Sequence, residues 1–321
     1  VNLTSNNSSV LQDAAAKVVA GSGLAVTSAH GDIALKGAND FNGTNGSTQF
    51  IYGSGKNVWI HNLGSIAFTG GTVGALNLFS DNGAITQAGA ITAASLNAGS
   101  GTGVTLNTSG NAIDTVGTLN GGTGNVTLKT ANALTLTGDI GGNTVTLTGA
   151  STIVQNAGAI TANNFTANGT ALAFNGTNYV SQIDVLNASA GSASFMNRSG
   201  ILIGGHVSAT QDVSLTSQIG AIGGAGYVSA NALNLSSARN ITLDNAANAF
   251  SSLTLYAMAG DVSLTNHNGF QIAAGGVNAD IHSVTFDLGG GALTAFDANS
   301  KITAGRLNLT GNGSNATVYG G

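Results

Sequence analysis

The side chains able to do chemistry are few and widely spaced. The five histidines, His30, His61, His206, His267 and His282, show neither His-x-His nor His-x-x-x-His spacing, so no pair is set to share a metal ion. Cysteine is absent, and the thirteen acidic residues are all aspartate. The three arginines are Arg198, Arg239 and Arg306. The interval from Arg239 to Asp261 matches one turn of a coiled chain, which would place one over the other. Such a pair on a surface is an ion pair of little energy. Residues 121–129, GGTGNVTLK, approach the calcium-binding pattern G-G-x-G-x-D-x-U-x, but Val126 stands where an aspartate ligand is needed. Neither a Gly-x-Ser-x-Gly elbow nor a phosphate-binding Walker loop is present. The expectation is therefore no catalytic residue, no cofactor and no metal, and a protein that is not an enzyme.

Contact chemistry is better represented. Residues 38–56 form the longest run without clear alternation and carry Phe41, Phe50 and Tyr52, with Trp59 just beyond. They read as a longer loop with an aromatic patch for a partner or a sugar; the competing reading stacks the rings on the core. Thr135/Thr137 and Thr146/Thr148 suggest a flat threonine face of the kind that binds ice. Their spacing is half a turn, so the pairs are expected on different sides and not kept turn after turn. Asn-x-Thr sequons at Asn164, Asn168 and Asn175 offer modification sites in a chain whose composition generates them freely.

Something must position these groups, and the composition says it is not helix. The 321 residues include 49 glycines, no proline and no glutamate, and only 7% are charged. The usual fillers of exposed helix faces are missing. Thr and Val favour the pleated backbone, while Gly and Asn suit tight turns. Residues 11–20, LQDAAAKVVA, are the one place for a helical turn, which Gly21 and Gly23 would close. Eight basic residues are dispersed and the net charge is −5, which argues against nucleic acid as a partner. No run reaches the roughly 18 apolar residues of a membrane span. No signal peptide opens the chain at Val1, so a mature product or an excised segment is expected.

The apolar residues recur. GAITQAGAITAASLNA at 83–98 returns at 151–167, 220–235 and 300–309. Ile91, Ile160, Val228 and Ile302 mark the same point in these copies and follow one another at nearly equal intervals. In the same phase runs an apolar-Thr-apolar strand, then Asn and small residues, then a large apolar residue: VTLNTSGNAI from Val104, LAFNGTNY from Leu172, ITLDNAANAF from Ile241, with IALKGANDF from Ile33 as an earlier copy. Leu106, Leu128 and Leu147 recur at a shorter interval of about 20 residues, which suits one turn of a three-sided coil. The longer repeat would be three turns. Short strands of this kind bury their apolar face only by stacking in parallel on the next turn. Gly, Asn and Asp should take left-handed or bridge conformations at the corners. The expected fold is an all-β parallel β-helix of roughly 14 turns, a single continuous repeat domain over residues 1–321.

AITQAGAITAASL from Ala84, GANDFNG from Gly37 with its echo NAANAFSSLTL from Asn245, and GDVSLTNHNGFQIA from Gly260 resemble the repeats of filamentous-haemagglutinin-like exoproteins, the adhesins of two-partner secretion and related autotransporter passengers. The resemblance spans about residues 31–309. It implies a right-handed helix exported through an outer-membrane transporter to the surface of a Gram-negative bacterium. The N-terminal secretion domain and the toxin domain found in such proteins are not seen, so the segment reads as shaft. The expected function is an extracellular structural or adhesive rod of a bacterial surface or biofilm matrix, contacting host or bacterial glycans or proteins, with no nucleic acid and no membrane insertion. The alternative is a fibre subunit that stacks end to end, since VNLT at 1–4 and LNLT at 307–310 could each continue a ladder. A β-helical carbohydrate-active enzyme is the third reading.

Overall fold

The computed structural model describes residues 1–13, 15–21, 23–41, 50–54, 56–295 and 299–311. Among these residues there is no helix, and the strands pair in parallel. The chain is a β-solenoid of about 14 turns. It divides into two compact units, Val1–Ala162 and Asn163–Gly321.

In the first unit Val10, Ile33, Val58, Leu76, Leu96, Val116 and Leu136 lie one above another. Each step of that column is one full turn of the chain. One turn uses three short strands. From Leu96 in Ile91–Ser100 the chain passes through Val104–Leu106 and enters Ala112–Asn120, where Val116 closes the turn. A second column holds Ile66, Ile85, Val104, Val126 and Val145. Leu106, Leu128 and Leu147 stack as their spacing predicts. The second unit repeats the plan with Leu172, Ala193, Val213, Leu233 and Leu253 on one side. Another of its sides carries Ile201, Ile222, Ile241, Val262 and Val284.

Alternation does the packing. Ile91–Ser100 buries every second residue on each side of its bend, and Leu96 is 0% exposed. Burying such a side chain contributes about 1.5–3 kcal/mol, repeated at every turn. Phe165, Phe174 and Phe195 form an interior cluster with centroids 5.1 to 6.4 Å apart.

The interior also holds asparagines, and these explain the second sequence theme. Its four copies contain Asn39, Asn111, Asn178 and Asn248, all 0% exposed. Asn111 Nδ2 donates to Leu106 O on its own turn at 3.2 Å and to Lys129 O on the next at 3.0 Å. Its Oδ1 accepts the Ile91 N–H from the preceding turn at 2.9 Å. Asn248 does the same with Leu243 O, Thr265 O and Val228 N–H. Asn39 joins Leu35 O, His61 O and Val18 N–H, and Asn178 donates to Phe174 O and Met196 O. A companion on the next turn completes each clamp. Asn62, Thr130, Asn197 and Asn266 accept the N–H of Phe41, Ile113, Val180 and Phe250, each two residues past its clamp asparagine, at 3.0 Å. A corner residue cannot use the strand ladder, so its buried backbone groups need a side-chain partner.

Three sequence expectations change here. Asparagine does not serve the corners through left-handed backbone: among the described residues the one non-glycine with positive φ is Asp280, at 50°. Its amide, which both donates and accepts, is what the corner needs. The long repeat is three turns plus one side, not three turns. From Ile33 the column passes Val58, Leu76 and Leu96, and only the following strand, Val104–Leu106, starts the next copy. From Leu172 it passes Ala193, Val213 and Leu233 before Ile241–Leu243. Ile302 keeps this plan: it stacks on Val277, Leu255 and Leu235, three turns above the residue seven past Val228, and a register slip between Leu253 and Leu255 lengthens its interval. Finally, residues 38–56 are not one loop: Ile33–Asn39 and Phe50–Ser54 are strands, and 42–49 lie outside the described residues. In residues 11–20 the backbone makes a hydrogen-bonded turn, with Ala16 N–H donating to Asp13 O at 3.0 Å.

Candidate contact surfaces

Trp59 lies on the strand Asn57–Asn62, where Val58 and Ile60 point inward and Trp59 and His61 point outward. The next turn sets Asn77 beside Trp59 and Phe79 beside His61. The Trp59 and Phe79 rings meet at 5.2 Å with a 33° tilt, and Lys36 of the preceding turn places Nζ 4.7 Å from the Trp59 ring centre. His61 Nε2 is 2.9 Å from Asp81 Oδ1. Asn97 Nδ2 donates to Asn77 Oδ1 at 3.0 Å, extending the polar rim. The following turn carries Gly99 opposite Phe79, and a Cβ there would meet the ring at 3.1 Å. Glycine leaves room for the ring to lie over the sheet. The result is a half-exposed ladder of cation, indole and phenyl edged by amides, a carboxylate and an imidazole. It suits a partner with a flat apolar face and hydroxyl or amide groups around it.

Of the other three aromatics of the proposed contact loop, one has its side chain described, and it is buried. Phe41 is 0% exposed and its N–H is held by Asn62, so it packs the core instead of facing a partner. Phe50 and Tyr52 are on the strand Phe50–Ser54, and their side chains lie outside the described residues. Lys36 and Phe79 escaped the sequence reading. The signal for Phe79 was an offset of one turn from Trp59, visible only once the register is known. His206 and Tyr227 form a similar pair in the second unit, stacked at 5.5 Å with planes 15° apart.

The remaining candidates do not converge. His282 Nδ1 lies 4.0 Å from Asp261 Oδ1, and Arg239 does not reach that carboxylate; its Nε donates to Ile219 O at 3.3 Å. Thr135 and Thr146 stand on different sides, as their spacing requires. One threonine column does persist, through Thr86, Thr105, Thr127 and Thr146, but Lys129 stands opposite Thr148 and interrupts the second column. Among the described residues no group of three or more His, Asp, Glu or Cys is placed to hold a metal.

A family described as Repeats of unknown function (DUF5649) matches residues 55–120 and 190–257. The first stretch contains Asn62 and Asn111, and the second contains Asn197 and Asn248, so each match includes a companion and a clamp asparagine. No curated protein and no solved structure matches the chain.

Proposed function

We propose that this chain is a stretch of structural scaffold in an extracellular protein of a bacterial surface or matrix, serving as an adhesive or spacing rod and not as an enzyme. The observation that carries the reading is the interior. Columns of apolar side chains and buried asparagine clamps fill it turn after turn, so chemistry is left to the outer faces. A solenoid built from such turns gives length and a long surface from a short vocabulary of residues. The match to a repeat family supports the same reading. The absence of cysteine suits passage through an outer-membrane transporter, since a disulfide would obstruct threading. The Lys36–Trp59–Phe79 ladder is the contact surface we assign to host or bacterial glycans or proteins.

Two measurements test this. Immunogold labelling of intact producing cells should place the chain outside the outer membrane; label confined to the cytoplasm would overturn the reading. Purified chain should adhere to bacterial or host cell surfaces, with adhesion reduced several-fold in Trp59→Ala. Equal adhesion of the variant would remove the ladder from the contact.

A further inference from the structure

One edge of the second unit carries a feature that the scaffold role does not require. A buried column, Asn178, Asn197, Ser217, Ser237 and Ala257, runs along it. The residue after each turns outward. Arg198, Gln218, Ala238 and Met258 are fixed by N–H bonds to the carbonyls of Asn178, Asn197, Ser217 and Ser237, one turn apart. On this line Tyr179 is 50% exposed and Met258 61%, and Ile219, next after Gln218, is 56% exposed. Arg198 and Arg239 are also exposed, so two of the chain's three arginines stand on one edge of a protein with net charge −5.

Those arginines are not neutralised locally. Among the described residues the ion pairs are Lys17–Asp40, His61–Asp81 and His282–Asp261. Asp261 lies on the turn next to the one that carries Arg239, its carbonyl accepting the Ile241 N–H. Its carboxylate is turned forward: Oδ1 accepts the Ser283 N–H at 2.9 Å and lies 4.0 Å from His282. Arg239 reaches the other way, Nε donating to Ile219 O at 3.3 Å. The two charges separate along the edge, and the Arg239 side chain lies against the Ile219 carbonyl. Arginine, tyrosine and methionine are the side chains that protein interfaces favour, and lysine, which they disfavour, is absent from this edge.

We propose that this edge, Tyr179–Arg198–Ile219–Arg239–Met258, docks an acidic, extended protein segment. Arg198 and Arg239 lie two turns apart, about 10 Å at the strand spacing. A polyproline II segment puts residues i and i+3 on one side about 9 Å apart. Carboxylates three residues apart can therefore each meet a guanidinium, in the bidentate geometry that arginine favours. Apolar side chains between them would cover Ile219, with Tyr179 and Met258 as outer contacts. Charge complementarity selects the partner, since on a chain of net charge −5 this edge offers two exposed arginines without an ion pair. The proposal does not depend on where the scaffold is located.

Fluorescence anisotropy with the full chain tests it, at low salt. The probes are a labelled twelve-residue peptide with Glu at every third position and Leu or Pro between, the same peptide with Gln for Glu, and labelled polygalacturonate. The Glu peptide should bind, and the Gln peptide should bind at least tenfold more weakly. Arg198→Ala/Arg239→Ala should weaken Glu-peptide binding at least tenfold, while Arg306→Ala leaves it unchanged. All substituted side chains are exposed, and circular dichroism verifies that the variants fold. Equal binding of the Glu and Gln peptides, or no loss in the double variant, would overturn the proposal. Tighter, arginine-dependent binding of polygalacturonate would also overturn it, by reassigning the edge to acidic polysaccharide.

Discussion

Asn111 in the first unit and Asn248 in the second occupy the same place in the repeat but are supported differently. Asn111 is paired with Gln87, each amide donating to the other at 2.8 to 2.9 Å. Asn39 has the same reciprocal partner in Gln12. Asn248 has no such glutamine. Gln87 lies four residues before Ile91, whose N–H the clamp holds; four residues before Val228 stands Gly224, with φ +130°. A Cβ on Gly224 would run into the Ile203 carbonyl of the preceding turn, so no glutamine fits there. Asn248 nevertheless makes the three backbone bonds that Asn111 makes. The asparagine is the clamp, and the glutamine is an accessory where the backbone leaves space.

That distinction orders the expected effects. Asn111→Leu and Asn248→Leu should each cost about 4 kcal/mol in urea unfolding, because three buried backbone groups lose their partner together. A cost below about 1 kcal/mol at either site would show that the corner satisfies itself without the amide. Leu96→Ala should cost about 3 kcal/mol, the range for an enclosed leucine. Leu96 sits between Leu76 and Val116 and cannot collapse onto a flexible neighbour. Gln87→Ala should cost only about 1 kcal/mol, since Asn111 keeps its backbone bonds. A loss equal to that of Asn111→Leu would make glutamine and asparagine one unit and break the comparison. Lys36→Ala should cost about 0.5 kcal/mol, the scale of an exposed cation–π contact.

Much of this architecture was legible in the sequence. Alternation and the near-even spacing of Leu106, Leu128 and Leu147 sufficed for parallel stacking, because a four-residue strand has no other way to bury its face. The copies of Asn39, Asn111, Asn178 and Asn248 were visible as a pattern, but their role was not. Sequence shows a residue type; it does not show which backbone groups a corner leaves bare. The extra side in each repeat was hidden for a related reason: counting residues gives the interval, and only the register gives the number of turns. The slip between Leu253 and Leu255 lengthens the last interval, to Ile302, since an irregular strand stretches the period without changing composition. On the surface, Trp59 was legible as a residue, but the Lys36–Trp59–Phe79 ladder was not. Its members are a full turn apart along the chain and meet only through the pitch of the solenoid.

The central claim is that buried asparagine amides take over from the strand ladder at the corners. Amide hydrogen exchange at Val228 tests it most directly, followed residue by residue in the native chain and in Asn248→Ala. The account predicts that Val228, whose N–H donates to Asn248 Oδ1 at 2.8 Å, is protected in the native chain as strongly as ladder amides such as Leu233. The substitution should lower that protection at least a hundredfold while Ile91, held by Asn111 in the other unit, keeps its own. Fast exchange at Val228 in the native chain, or protection unchanged by Asn248→Ala, would contradict it.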